Sequence, residues 1–266
     1  MQKDQSKISV ITVCLNAAPL LKKTIESVLD QTYFNIEYII VDGASKDNTQ
    51  EIIKNYVSGV HHFISEVDNG LYDAMNKGIK EATGELIIFL NAGDYFVSKD
   101  VLLCSISKMK LENADIFFGR IIWNSPATKE ITVSDHNYIS KTWHLKTDNF
   151  PHPATFYKRK LFDTIGLFDE SYCIYGDYEW NVKVLLLKRI SFQYIPVITT
   201  VFTADGISNN ERFLAKRNEE KERILRKYFM PVDLYKKDYT AHFFYKLKII
   251  QKVISKIYNC QLKRIY

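Results

Sequence analysis

Cysteine is scarce in this chain of 266 residues, and Cys14, Cys104, Cys173 and Cys260 stand far apart, with no two at metal-ligand or redox spacing. That excludes a disulfide framework and a cysteine zinc site, and four free thiols are expected. Long apolar runs are missing too. No stretch reaches the roughly 18 residues of a membrane span, and Met1-Gln-Lys-Asp-Gln-Ser-Lys7 lacks the apolar core of a secretory signal. A chain that starts in the cytosol is expected. There is no internal repeat, no low-complexity linker and no recognisable groove-reading or base-stacking module, so nucleic acid is not an expected partner. No glycine-rich, lysine-bearing phosphate loop follows the first apolar strand, where Asn16-Ala-Ala-Pro19 stands instead.

What is present is ordinary globular composition, 46% hydrophobic and 25% charged, rich in Tyr and Phe. The length suits one large α/β domain, or one domain plus an appendage. The formal charge of +5 is unevenly spread. From Lys236 onward Lys236, Lys237, Lys246, Lys248, Lys252, Lys256, Lys263 and Arg264 face the single acid Asp238, a net +7 that leaves −2 for the rest. Within this tail Phe243, Leu247, Ile250, Ile254 and Ile257 recur at the spacing of one helical face. Two readings stand for it: a helix packed on the domain or a partner, or an interfacial helix on an anionic membrane surface.

The body of the chain alternates. Ile8–Leu15 reads as a strand, Asn16-Ala-Ala-Pro19 turns into a helix through Leu29, and Glu37–Val41 reads as a second strand. Asn48 or Thr49 is the expected cap of a helix running toward Tyr56. A strand at His62–Ser65, a helix at Leu71–Glu81 and a strand before Asp94 extend a βαβα pattern, which predicts a parallel, doubly wound sheet. A helix near Lys99–Lys110 and a strand at Ile116–Phe118 follow. Ile121–Phe150 reads as irregular. Beyond it come a strand at Ala154–Tyr157, helices at Arg159–Ile165 and Asp177–Lys188, and two strands at Phe192–Ile195 and Ile198–Phe202.

Three acids sit where apolar runs end: Asp94 after Glu85-Leu-Ile-Ile-Phe-Leu-Asn-Ala-Gly, Asp42 after Tyr38-Ile-Ile-Val, and Asp68 after His62-Phe-Ile-Ser-Glu-Val. In open α/β sheets ligands bind beyond the carboxyl ends of the strands, so these acids point to a site for a metal and a polar, phosphorylated ligand. Ser9-Val-Ile-Thr-Val with Asn16, Ser27-Val-Leu-Asp-Gln-Thr-Tyr33, Val41-Asp-Gly-Ala-Ser-Lys-Asp-Asn-Thr49, Asp73-Ala-Met-Asn-Lys-Gly78 and Leu90-Asn-Ala-Gly-Asp94 add ordered motifs. With His152-Pro-Ala-Thr-Phe-Tyr157, Gly166-Leu-Phe-Asp-Glu170 and Gly176-Asp-Tyr-Glu179 the whole series resembles the family 2 glycosyltransferases of the GT-A fold, from about Ile8 to Ser208. The branch it resembles builds bacterial capsules, O-antigens and exopolysaccharides.

The resemblance implies an α/β GT-A domain over 1–212, with a Rossmann-like nucleotide-sugar half at about 8–120, a mixed central sheet and an acceptor half at about 121–212. A basic helical extension over 213–266 would follow. It implies that Asp42 hydrogen-bonds the donor base, usually uracil, in a pocket lined by Thr12, Leu15 and Asn16. Asp68 would lie beside the ribose or diphosphate, and Asn76, Lys77, Asn91 and Ala92 near the rest of the donor. Asp94 would hold a divalent cation, Mn²⁺ or Mg²⁺, on the diphosphate. The chain departs from the usual pair of acids there, because Asn91 and Gly93 take positions where acids are commoner. Asp177 is the implied general base, with Glu179 second, and Gly176 replaces the commoner first acid of that motif. His152, Asp169, Glu170 and Trp180 are expected on the acceptor side.

The activity implied is single-displacement, inverting transfer of a sugar from a nucleotide donor, UDP-linked, to a hydroxyl of a growing surface glycan. Lipid-linked acceptors would suit the basic tail and a place at the cytoplasmic face of the inner membrane. A noncatalytic nucleotide-sugar-binding subunit is the rival that the thinned acids raise. A nucleotidyltransferase is disfavoured by the missing phosphate loop.

Overall fold

The computed structural model describes residues 6–125, 130–134, 149–188, 190–203 and 211–229. The tail from Lys236, with its apolar stripe, lies outside the described residues. The chain divides into two compact units after Lys221.

β1 (Ile8–Cys14) is buried along its whole length, and β2 (Ile36–Asp42) is buried from its second residue onward. Such continuous apolar runs suit parallel strands covered on both faces. β3 (His62–Ser65) and β4 (Leu86–Phe89) join them in parallel, in the order β3-β2-β1-β4. The register sets Cys14 beside Asp42 and Asp42 beside Ser65, so three strands end at one edge. After β4 the chain still follows β1, with Leu90 N–H on Ile11 O at 2.9 Å and Ala92 N–H on Val13 O at 3.2 Å. Asp94 is thereby carried to the same edge.

The sheet is mixed beyond β4, not wholly parallel. β8 (Thr155–Lys158) pairs antiparallel with β4 and with β6 (Ile116–Ser125). β9 (Phe192–Thr203) runs parallel to β6 and antiparallel to β5 (Tyr95–Phe96), while β7 (Glu130–Val133) pairs with β6. Two sequence expectations are corrected here. The stretch expected to be irregular from Ile121 is regular at its start, because β6 continues to Ser125 and pairs antiparallel with β7, while 135–148 lie outside the described residues. The two strands expected at 192–202 are one, and between Tyr194 and Ile198 the register against β6 shifts. Exposed Pro196, which has no N–H for a ladder, sits in that irregularity, and a proline tolerates such a place.

Helices α1 (Ala18–Leu29), α2 (Thr49–Asn55), α3 (Leu71–Glu81), α4 (Val101–Lys108), α5 (Lys160–Ile165), α6 (Gly176–Lys188) and α7 (Leu214–Tyr228) complete the fold. α1 starts with Pro19 in its first turn and buries Leu21, Thr24, Ile25 and Val28, one face at helical spacing. α3 packs so closely on the sheet that a Cβ on Gly78 would lie 2.5 Å from Ile11 Cγ2. Neither Asn48 nor Thr49 caps α2 through its side chain. Thr49 Oγ1 instead accepts the Ala17 N–H at 2.8 Å, and Asp47 Oδ1 takes the Thr49 N–H at 3.0 Å. The tertiary tie to the β1–α1 turn outcompetes the local cap.

At the amino end of the strands Glu37 gathers four donors: Lys7 Nζ, Ser9 Oγ and Thr83 Oγ1, each at 2.6 Å, and the Thr83 N–H at 2.7 Å. Burial pushes its carboxyl up, but these bonds outweigh burial and bring it down to about 2.

Candidate active site

Asp42, at the end of β2, is fully buried. It accepts hydrogen bonds from the Ser45 N–H and hydroxyl and from the Ser65 hydroxyl at 2.7 Å. A buried carboxylate so held is rigid, and burial followed by Asp42 drives the neighbouring Cys14 thiol far above its ordinary range. Asn16, in the left-handed region at φ 50°, accepts the Lys46 N–H at 2.8 Å and gives its own N–H to Ser45 Oγ at 2.8 Å. The loops after β1 and β2 are sewn together in this way, and Leu15 stands 61% exposed between them. A Cβ on Gly43 would lie 2.8 Å from Asp68 Oδ2 and 3.3 Å from Leu15 Cδ1, so Asp42, Leu15 and Asp68 share one rim. Thr12 contributes no side chain to it, because its hydroxyl donates to Leu90 O at 2.8 Å inside the sheet.

Asp68 is held by Lys77 at 2.6 Å, and Lys77 also meets Glu66 at 3.0 Å and Asp73 at 3.3 Å. Burial alone would lower the Lys77 pKa, but the carboxylates around it raise it. Lys77 is thus a loop clamp and not a solvated charge. Asn76 is a correction to the expected donor contact. Its amide donates to Phe168 O at 3.0 Å and Glu170 Oε1 at 2.9 Å and accepts the Phe168 N–H at 3.0 Å, which fastens the 168–170 loop to α3.

Asp94 is buried, with one hydrogen bond from the Thr203 N–H at 3.1 Å. Burial pushes its carboxyl up to about 8, opposed only by that bond. Asn91 Oδ1 nearby in sequence is buried and has no hydrogen-bond partner. Ala92 follows it along β1. Among the described residues no three His, Cys, Asp or Glu side chains gather as a metal cluster. A buried acid and an orphaned amide oxygen are nevertheless both oxygen donors of the kind a hard cation takes.

Asp177 opens α6 behind Gly176. Its Oδ1 lies 2.9 Å from the Tyr72 hydroxyl, and its Oδ2 accepts Asn149 Nδ2 at 2.8 Å. His152 Nδ1 is 3.6 Å from Oδ2, too long for a hydrogen bond, and the ring stacks on Phe89 with centroids 5.2 Å apart. Burial lowers the His152 pKa, with Asp177 opposing. Trp180 is a second correction. Its ring is fully buried, stacks on Phe162 at 4.6 Å and gives its N–H to Gly166 O at 2.8 Å, so no sugar can reach its face. Glu179 is buried as well, two residues on from Asp177 and so on another side of the helix. Asp169 takes the Ser171 N–H at 3.0 Å in a turn, and Glu170 stays exposed.

Helix α3 joins the two groups, since Tyr72 in its first turn touches Asp177 and Lys77, in its second, holds Asp68. Sequence reasoning missed Tyr72, Asn149, Thr203 and Glu220. The last, on α7, accepts the N–H groups of Cys173, Ile174 and Tyr175 at 2.7, 3.0 and 3.0 Å, just before Asp177. Only Tyr72 left a sequence signal, an aromatic one residue before the Asp73–Gly78 motif, with glycine at 176 where an acid is commoner. A separate cleft of about 470 Å³ at the opposite edge, lined by Lys7, Glu85, Lys158, Arg159 and Lys160 among others, holds none of the expected site residues. Its cations are matched by Glu37, Asp115 and Asp163.

Parallel strands with acids at their carboxyl edge, continued by an antiparallel half that brings Asp177 to that edge, define a GT-A type transferase fold. Solved structures share it. The Staphylococcus aureus protein TarS (residues 1–349, with UDP-GlcNAc) matches with TM-score 0.66 and 18% identity over 83% of this chain and 64% of that one. The mannosyltransferase PcManGT of Pyrobaculum calidifontis, with GDP-Man and Mn²⁺, matches with TM-score 0.66 and 17% identity over 84% and 64%. The chain therefore spans less than two thirds of those structures. The model of glycosyl transferase family 2 matches residues 9–172, and the chain belongs to that family. A PGL/p-HBAD biosynthesis glycosyltransferase of Mycobacterium bovis is 29% identical over 76% of this chain and 78% of its own. An uncharacterized glycosyltransferase of Rickettsia typhi is 32% identical over 70% and 61%.

Proposed function

We propose that this glycosyltransferase moves a sugar from a UDP-linked donor to a hydroxyl of a growing, lipid-linked bacterial surface glycan, with inversion at the anomeric carbon. The observation that carries the reading is Asp177, a carboxylate fixed at the same sheet edge as Asp42 and Asp94. The donor base would lie against Asp42, Leu15 and Asn16, with the ribose and diphosphate toward Asp68 and Asn91-Ala92. Of the structural neighbours named above, TarS is solved with UDP-GlcNAc and PcManGT with GDP-Man, both nucleotide sugars. Asp177 would accept the proton of the acceptor hydroxyl as its oxygen bonds to the anomeric carbon and the bond to the nucleoside diphosphate breaks. Asp94 and Asn91 Oδ1 would hold a divalent cation, Mn²⁺ or Mg²⁺. Such a cation, when bound, neutralises charge on the departing diphosphate. His152, Asp169 and Glu170 would border the acceptor. Residues 1–212 would form the transferase domain. No helix among the described residues is long and apolar enough to cross a membrane, and the basic sequence after Lys236 would serve contact with an anionic surface.

The test is Asp177→Asn. An amide keeps the shape but cannot take the proton, so transfer should fall by about 10²–10⁴-fold while the melting temperature and UDP affinity hold. Equal transfer by both forms removes Asp177 from the chemistry. Donor binding without transfer by the wild type would favour the noncatalytic binding subunit that the missing acids at Gly93 and Gly176 raise.

A further inference from the structure

The Tyr72 hydroxyl lies 2.6 Å from the Ile174 carbonyl oxygen and 2.9 Å from Asp177 Oδ1. Both are within hydrogen-bond distance, yet a phenol has a single hydrogen to give. It cannot donate to both at once. When Asp177 is a carboxylate it carries no hydrogen, and the charge-assisted bond to it is the stronger place for the phenol hydrogen. When Asp177 is protonated on Oδ1, its own hydrogen points at the Tyr72 oxygen, and the phenol hydrogen is freed for Ile174.

The surroundings fix every member of this set except the hydrogens. Tyr72 is 2% exposed, and burial pushes its hydroxyl well above its ordinary range, so it stays a neutral phenol. Ile174 is held through its N–H by Glu220 Oε2 at 3.0 Å. Asn149 holds Asp177 Oδ2 and is itself held by Asn181 Nδ2 at 2.9 Å. Gly176 makes room for the arrangement, because a Cβ there would stand 2.7 Å from Tyr72 Cε2 and 2.8 Å from Cζ. Its φ is not in the left-handed region, so the glycine answers to the tyrosine ring and not to the backbone.

We infer that Tyr72 is a positioning residue for Asp177 whose hydrogen bond reverses during the reaction, donated to the carboxylate beforehand and accepted from the acid once the proton has arrived. The inference rests on Asp177 being the general base. The acceptor O–H bond breaks, the Asp177 Oδ1–H bond forms, and the phenol hydrogen turns from Oδ1 to the Ile174 carbonyl without leaving its oxygen. Nothing is oxidised or reduced. One buried hydroxyl thus satisfies both protonation states of the base, where a fixed donor would oppose the protonated one. Among the described residues the titratable groups facing Asp177 are Tyr72 on α3, His152 in the turn before β8 and Tyr157 on β8, and of these Tyr72 bonds it directly.

The test labels tyrosine at Cζ and aspartate at Cγ with ¹³C and follows both by NMR from acid to neutral pH, with Tyr72→Phe and Asp177→Asn assigning the two signals. The Tyr72 signal should move with the same midpoint as the Asp177 carboxyl, and it should be static in Asp177→Asn. A Tyr72 signal that stays flat while Asp177 titrates overturns the inference, whatever the catalytic result. In parallel, UDP release from UDP-GlcNAc with water as acceptor should fall about 10-fold or more in Tyr72→Phe, with KM and UDP affinity unchanged, as for loss of a bond to a charged group. If Asp177→Asn releases UDP as fast as wild type, the base assignment fails while the NMR coupling still reports on the hydroxyl. Should Tyr72→Phe not fold, Gly176→Ala replaces it, and its methyl should displace the ring and uncouple the two signals. Persisting coupling in that variant also overturns the inference.

Discussion

Replacing Glu220 by alanine should be among the most damaging single changes in the first compact unit, although it lies some forty residues from Asp177 in sequence. Three N–H groups converge on its carboxylate, Cys173 on Oε1 at 2.7 Å and Ile174 and Tyr175 on Oε2 at 3.0 Å each. The Ile174 bond is buried, so its N–H would be orphaned at about 1–3 kcal/mol. Water can reach the other two in part, and each should cost about 1 kcal/mol. The sum, about 3–5 kcal/mol, is a large part of the roughly 5–15 kcal/mol that holds a typical domain. Glu220→Gln keeps one acceptor oxygen, which can serve the two N–H groups at Oε2, and should lose about half as much. Urea unfolding of wild type and both variants measures this, with the slope against urea checked for constancy. Because the same residues precede Asp177, and Ile174 O faces Tyr72, Glu220→Gln should also slow transfer more than it weakens UDP binding. An alanine variant within about 0.5 kcal/mol of wild type would refute the reasoning, since it would mean that water replaces all three bonds at no cost.

Three further outcomes follow from other carboxyl groups. The Glu37 carboxyl is brought down to about 2 from an ordinary 4.5. Its contribution to stability is therefore present above about 4.5 and lost as the pH falls toward 2, and Glu37→Gln should unfold at lower urea at neutral pH and show a flatter decline in acid. In the metal-free protein Asp94 is pushed the other way, up to about 8 from 3.8, so what it contributes is complete in acid and fades as the pH rises toward 8. Thermal melts should show that fade in wild type and not in Asp94→Asn. Mn²⁺ should raise the wild-type melting temperature with an affinity that grows about tenfold per pH unit in that range, and the asparagine variant should not respond. Asp42→Ala should weaken UDP binding by about 1–3 kcal/mol in calorimetry, and unchanged affinity in a folded variant would remove Asp42 from the base pocket.

The sequence by itself determined what depends on near neighbours along the chain. The apolar runs of β1, β2 and β4 and the helical spacing of α1 and α3 were legible because burial on both faces, or on one, writes a period into consecutive residues. The acids at strand ends were legible for the same reason, since a strand's end and the residue beyond it are adjacent in sequence. Ordered motifs added the family and its base candidate. What only the tertiary structure decided involves partners far apart in the chain. Asn76 and Trp180 carry polar groups that looked available, and the folded chain spends them on Phe168, Glu170 and Gly166. The join of two expected strands into β9 depends on how β6 lies beside Pro196. Tyr72 meets Asp177 across 105 positions and Glu220 meets Ile174 across 46, and no local pattern records such a meeting. A hydrogen bond needs its partner within about 3 Å in space, and only the packed sheet and helices bring those residues that close.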